Sequence, residues 1–304
     1  MRQKGFSLLE LLVSLALAAS LSAAFTRLYL QSQKQQQHSL AVTEVYENAQ
    51  LAMDILQYEL RMAGFSKGAQ VQAYSGRNCP DEKAWLLDFT TGIDTQANTA
   101  FSVFGVPMNT SCLKIAFVEG SDVLWIRRLA SQAIQSEDAF YEAWYWLEKH
   151  HQADSQFAYL DTWPTAGQLA TIKHLWPVHS RIYYVRSYSV KGDNTPSLVV
   201  VKPTPTGFKH QVLIEGVESL QLQWQVKDNQ HWQLHRPPSK AQLQQAVLAR
   251  IYLLVRNRRP LQGINSDADY VLADSKAIDV DDRRYYRQLF MQSVMLRNHG
   301  VDDG

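Results

Sequence analysis

The feature that most constrains this chain is an uncharged run close to its N-terminus. Between Phe6 and Leu30 only Glu10 and Arg27 carry charge, and the 16 residues from Leu11 to Thr26 carry none. A helix that crosses the hydrocarbon of a bilayer needs about 20 mainly apolar residues. The flanking Phe6, Leu8, Leu9, Leu28, Tyr29 and Leu30 extend the run to 25 residues, enough for a tilted span. Leu and Ala dominate it, and both favour helix. Arg2 and Lys4 stand just before it, which by charge bias keeps the N-terminus in the cytoplasm and puts everything after Leu30 outside.

Glu10 is the anomaly, since an ionised carboxylate at the edge of hydrocarbon costs a few kcal/mol or more unless it is paired. A cleaved secretory signal, with Ala16-Leu17-Ala18 as a loose cleavage site, would hold the acid inside its apolar region. A plain membrane anchor has the same difficulty. A third reading supplies a counter-charge: a cut after Gly5 frees an α-amino group on Phe6, and that cation on one subunit can meet Glu10 on a neighbour inside an assembly.

The helical period continues past the apolar run. Val42, Val45, Tyr46, Ala49, Ala52, Met53, Leu56 and Leu60 recur at spacings of three and four, an amphipathic stripe. No Pro or Gly interrupts from Phe6 to Ala63, and Gly64 is a natural stop. The pattern predicts one helix over 6–62, about 85 Å long, apolar on every face over 6–30 and on one face over 31–63. Gln31 to Gln37 is its polar junction.

Beyond residue 64 the texture is that of strands and turns. Strand patterns run over 113–118, 123–127, 181–190, 198–201, 211–214, 220–226, 247–255 and 287–296. Leu220 to Val226 alternates strictly, as does Ile251-Leu253-Val255. The expected fold class is α+β: a long N-terminal α-helix, transmembrane then amphipathic, packed on an antiparallel β-sheet domain over 64–304. A stretch at about 130–180, with Trp144, Tyr145, Trp146, Trp163 and Trp176, reads as an aromatic-rich insertion. It forms either a local core or a surface that stacks on a sugar or a protein.

Composition removes several classes of function. With 46% hydrophobic residues the chain is not disordered, and a formal net charge of +1 gives no bulk attraction for nucleic acid. Two cysteines are too few for a disulfide scaffold or a four-cysteine zinc site. Cys79 and Cys112, both outside the membrane in this orientation, most simply form one disulfide in an oxidising compartment; two free buried thiols are the alternative. No His-Glu-x-x-His and no Walker-type phosphate loop is present, and His150-His151 has no metal-ligand spacing. Asn265-Ser266-Asp267-Ala268-Asp269 opens like a calcium loop, but Tyr270 stands where Gly is needed and Lys276 where the bidentate Glu is needed. Arg256, Arg258 and Arg259, with Arg283, Arg284 and Arg287, form a basic patch. Asp279, Asp281 and Asp282 lie beside it and suit internal pairing. No catalytic residue, metal or cofactor is assigned.

Lys4-Gly5-Phe6-Ser7-Leu8-Leu9-Glu10 resembles the leader of type IV pilins and type II secretion pseudopilins: a short basic segment, Gly, a Phe that becomes the first residue, Glu as the fifth, then an apolar helix. The resemblance implies a leader peptide over 1–5, cleavage between Gly5 and Phe6 by a membrane prepilin peptidase, N-methylation of Phe6, and an assembly role for Glu10. Later segments are similar to PilW-type minor pilins: Ala63-Gly64-Phe65, Cys79-Pro80, Ser121 to Arg127, Glu215 to Leu220, Ala249 to Arg256 and Arg287 to Asn298. The last also resembles the J-type minor pseudopilin. The implied function is a minor pilin of the type IV pilus, priming assembly or sitting at the tip. Implied partners are other minor pilins, the major pilin, the prepilin peptidase, an inner-membrane assembly platform and membrane lipid. The alternatives are a minor pseudopilin of type II secretion and, from another class, a membrane-anchored adhesin or DNA receptor.

Overall fold

The structure, a computed structural model, describes residues 7–66, 93–96, 102–103, 106–107, 117–118, 120–204, 207–228, 231–235, 242–243, 245–265, 269–273 and 282–298. The periodic N-terminal region is one helix, α1, Leu8–Met62, of 55 residues and so about 82 Å long. Its second half buries Ala41, Val45, Ala49, Ala52, Met53, Leu56, Glu59 and Leu60. That stripe is the expected one, with three differences: Ala41 is buried in place of the half-buried Val42, and two others follow. Tyr46 faces outward, edge-on to Phe290 with ring centroids 5.2 Å apart, and Glu59 is buried among apolar residues. The helix ends where the glycine falls: Ala63 is the C-cap, and Gly64 takes φ +76°, a conformation that costs glycine little. Gly64 N–H then donates to the Arg127 carbonyl, and Leu129 N–H donates to the Phe65 carbonyl, so the foot of the helix is tied to a strand.

Thirteen strands follow among the described residues: β1 Ile93–Gln96, β2 Ser102–Val103, β3 Val106–Pro107, β4 Val123–Leu129, β5 Ala143–Lys149, β6 Gln156–Leu160, β7 Ile172–Arg186, β8 Ser197–Thr204, β9 Gly207–Glu215, β10 Val217–Asp228, β11 His231–His235, β12 Ala246–Arg256 and β13 Arg287–Met295. They make two larger antiparallel sheets and the small β2–β3 pair. In the first larger sheet β4 lies between β1 and β7, and β8 joins β7 to β9. The second has the order β11-β10-β12-β13. The fold is thus α+β, a long helix on curled antiparallel sheets. Of the predicted strands, 113–118 lies mostly outside the described residues, and the segment after Arg186 leaves the sheet instead of continuing to 190. There Asp193 accepts hydrogen bonds from Ser189, Val190 and Thr195 N–H.

The two sheets share one core under the stem. Leu124, Ile126, Tyr183 and Val200 of the first sheet join Leu220, Leu222, Trp224, Ile251, Leu253 and Val255 of the second against Val45, Ala49, Leu56 and Leu60. Each fully buried large apolar side chain contributes about 1.5–3 kcal/mol. Polar groups stitch the joint between the sheets. Asp122 Oδ2 accepts from Leu222 N–H, and Ser121 Oγ accepts from Leu220 N–H, so the start of β4 completes the ladder of β10. Gly216 turns the chain from β9 into β10 at φ +85°, and a Cβ there would strike the Arg256 carbonyl.

Residues 130–177 lie between β4 and the half of β7 that pairs with it, and they add strands to the first sheet. β5 pairs with both β6 and the Ile172–Pro177 half of β7, so the aromatic stretch is a hairpin that extends the sheet. Its alternation has two faces. Tyr145 and Leu147 pack with Leu175, Phe140 and Trp163 in one small core. Trp144 and Trp176 lie in a larger cluster with Trp146, Phe157 and Tyr159 packed against it.

Candidate functional site

The candidate site is the stem together with what holds it. At its tip the helix begins with a capping box. Ser7 Oγ accepts from Leu9 N–H at 3.4 Å, and Glu10 Oε2 accepts from Ser7 N–H at 2.9 Å. Glu10 therefore satisfies one of the unpaired amides of a helix start and sits where the helix dipole favours an anion. Gly5 and Phe6 lie outside the described residues, as do Cys79 and Cys112.

From Leu8 to Leu30 the helix is apolar and is covered by none of the described residues; Leu8 is 76% exposed, and Leu11, Leu15, Leu21 and Phe25 are all exposed. The segment is long and apolar enough to cross a membrane. A bare apolar surface of this length needs either lipid or other helices around it. One molecule thus carries a helix that half belongs to its own core and half belongs to an environment the chain does not supply.

The hold on the lower half is ionic as well as apolar. Glu59, 2% exposed, accepts from Arg128 Nε at 2.8 Å, Arg128 Nη2 at 3.1 Å and Arg181 Nη1 at 2.5 Å. Arg181 Nη2 also donates to His179 Nδ1 at 3.0 Å. Burial and the neighbouring Arg128, Arg181 and Lys202 hold the His179 imidazole neutral, pulling its pKa from 6.5 to about 3. Nothing in the residue pattern marks Glu59 beforehand except that an acid occupies a stripe position, eleven residues after Asn48, whose amide donates to the Glu215 carbonyl.

The Arg patch is not a free cationic surface among the described residues. Arg287 grips Glu218 through Nε at 2.7 Å and Nη2 at 3.0 Å, and Arg256 reaches the same carboxylate at 3.1 Å. Arg258 bridges Glu44 of the stem and Glu215 at 2.7 and 3.1 Å. Arg284 pairs with Asp282, whose carboxyl it draws down to about 2. Ion pairing here involves Glu218, Glu44 and Glu215 as well as Asp282; Asp279 and Asp281 lie outside the described residues. The stretch read as an incomplete calcium loop also lies partly outside them, at 266–268 and at Lys276. No group of His, Cys, Asp or Glu able to hold a metal ion occurs among the described residues.

The hairpin aromatics fill cores. Tyr145 stacks on Phe140 at 5.6 Å, Trp146 packs on Phe157 at 4.5 Å, and Trp176 Nε1 donates to Glu148 at 2.8 Å. Burial drives the Tyr145 phenol up to about 12. One motif escaped the sequence reading: Gly64-Phe65-Ser66-Lys67-Gly68 spells the Gly-x-Ser-x-Gly of a nucleophile elbow. That elbow requires a strand before the serine, and here a helix end precedes it.

The apolar N-terminal stem and the antiparallel head both resemble those of type IV pilin-like proteins. Residues 1–26 match the prokaryotic N-terminal methylation motif, and residues 182–298 match the family model described as type IV pilus-assembly protein W, so the head is PilW-like. Among solved structures the chain is similar to a type IV-like pilin from Thermus thermophilus, at 12% identity and a TM-score of 0.39, covering 84% of this chain and 98% of that one. No curated protein matches it.

Proposed function

We propose that this chain is a minor pilin of the type IV pilus, a structural subunit that primes assembly or sits at the tip with other minor pilins. The observation that carries the reading is the division of α1 into an uncovered apolar half and a half fixed to the head by Glu59. In this reading Arg2 and Lys4 keep the leader on the cytoplasmic side and the apolar half holds the chain in the inner membrane with its head in the periplasm. A prepilin peptidase cuts between Gly5 and Phe6, and the new amine is methylated. The stem then leaves the bilayer and packs among the stems of other minor pilins and the major pilin, where an amine from a neighbour meets Glu10. In the membrane the Glu10 carboxylate is partnered by Ser7 N–H of its own chain. Cys79 and Cys112 form a disulfide in the periplasm, so thiol labelling of denatured, unreduced protein finds neither.

Mass spectrometry of the N-terminus, from membranes and from sheared filaments, tests the proposal. A chain that begins with methylated Phe6 in both fractions is expected; any other first residue defeats it. A knockout that blocks exoprotein release while sparing pili would assign the chain to type II secretion instead.

A further inference from the structure

The face of the first sheet that carries the stem also carries a row of cations beside it. Arg128 on β4, Arg181 on β7, Lys202 on β8 and Lys209 on β9 stand on four successive strands. The register puts them on one face: Arg128 is opposite His179, Arg181 is one rung past the Ile182–Val201 pair, and Lys202 is directly opposite Lys209. Ile126, Tyr183 and Val200, two residues along from three of them, belong to the core under the stem. Exposure rises along the row: the Arg128 side chain is 4% exposed and that of Arg181 26%, Lys202 is half-buried and Lys209 is exposed. Glu59 balances the buried end. At the open end Lys202 donates to the neutral Gln211, and among the described residues no ion pair joins Lys202 or Lys209 to a carboxylate. Like charges directly opposite each other weaken a sheet, and burial together with Arg181 and Lys209 already lowers the Lys202 pKa.

We propose that this row is a docking strip for the acid-bearing stem of a neighbouring pilin-like chain, an inference that rests on the pilin reading above. The stem of this chain shows the chemistry required. Glu47 and Asp54 are exposed on the side of α1 away from its buried stripe. Seven residues of helix separate them, about 10.5 Å along the axis. Two strand spacings separate Arg181 from Lys209, about 9.5 Å. The row starts at Glu59, so a second stem seated on it lies beside the first on the same sheet face. A formal net charge of +1 leaves no broad positive field for a phosphate polymer, and the unbalanced cations are confined to a strip that a single helix can cover.

The test uses the full chain in cells that make the filament. Lys202→Glu with Lys209→Glu is expected to leave the membrane fraction and its methylated Phe6 terminus unchanged and to lower the sheared-filament fraction at least fivefold; Lys202→Arg with Lys209→Arg restores it. A photo-crosslinking p-benzoylphenylalanine at position 209 is expected to trap an acidic stem peptide of a neighbouring chain. An unchanged filament fraction, or crosslinks to anything other than a stem, overturns the proposal. So does a short DNA duplex bound by detergent-solubilised wild type and not by the glutamate variant, which would assign the strip to nucleic acid. A wild-type chain without the methylated Phe6 start fails the pilin reading itself and is read from the same samples.

Discussion

Glu59 and Arg128 form a two-point ion pair at the foot of the stem, with side chains 3% and 4% exposed. Taking one partner from such a pair leaves the other buried without a counter-charge, at about 3–5 kcal/mol. Glu59→Leu is therefore expected to lower the unfolding free energy of the detergent-solubilised chain by that amount. Replacing Glu59, Arg128 and Arg181 together by apolar residues of similar volume should recover most of the loss, since apolar packing does as well as a buried ionic cluster. A single variant that costs less than 1 kcal/mol would remove the pair from the account of how the stem is held.

His179 gives stability a pH dependence of known sign. Its folded pKa, about 3, lies below the ordinary 6.5, so between those values the unfolded chain binds the extra proton. Stability is complete above 6.5 and falls as pH drops through that window, by up to about 2 kcal/mol at pH 5. Thermal unfolding of wild type and His179→Gln at pH 7 and pH 5 checks this; the variant should lose less on acidification.

Gly216→Ala meets two obstacles. Its φ of +85° is disfavoured for any residue with a Cβ, and that Cβ would collide with the Arg256 carbonyl, whose own N–H donates to the Gly216 carbonyl at 2.8 Å. The strain alone is about 1–3 kcal/mol. Because the residue joins β9 to β10, the head is expected to become more sensitive to protease as well as less stable.

Glu10 caps the helix, and the counter-charge role proposed for it is separated from the cap by one pair of variants. Gln at this position keeps the hydrogen bond of a capping box but carries no charge, whereas Leu keeps neither. Both variants are expected to stay in the membrane fraction, and both should be lost from sheared filaments, which is a statement about the counter-charge. Normal piliation with Glu10→Gln would mean that the cap is the whole role of the residue.

The stem was legible because period and burial agree over about four turns: Val45, Ala49, Ala52, Leu56 and Leu60 are all fully buried. The strictly alternating Leu220 to Val226 and Ile251 to Val255 also face the core as read. The first half of β7 was not legible, since Pro177 interrupts it and proline is disfavoured within a strand. The structure places Pro177 where β7 exchanges partners, opposite Tyr145 of β5 and one residue from Val178, the partner of Leu129 of β4. Glu59 was hidden for a different reason: a carboxylate on a helix ordinarily faces water, and only the fold brings two arginines from strands 69 and 122 residues away. The Arg patch was seen, but most of its partners, Glu44, Glu215 and Glu218, are distant in the chain.

β7 gives the head a mechanical property. Its Ile172–Pro177 half holds the aromatic hairpin, and its second half holds β4 and β8, with Arg181 on the way reaching the stem through Glu59. A pull applied to the hairpin along the strand loads many ladder hydrogen bonds at once, as in shear, and passes to the helix through Arg181 and through the packing of Tyr183 in the core under the stem. The strand that carries the hairpin and the strand that touches the stem are therefore one continuous piece of backbone, so traction on the first is felt at the second without a hinge between them.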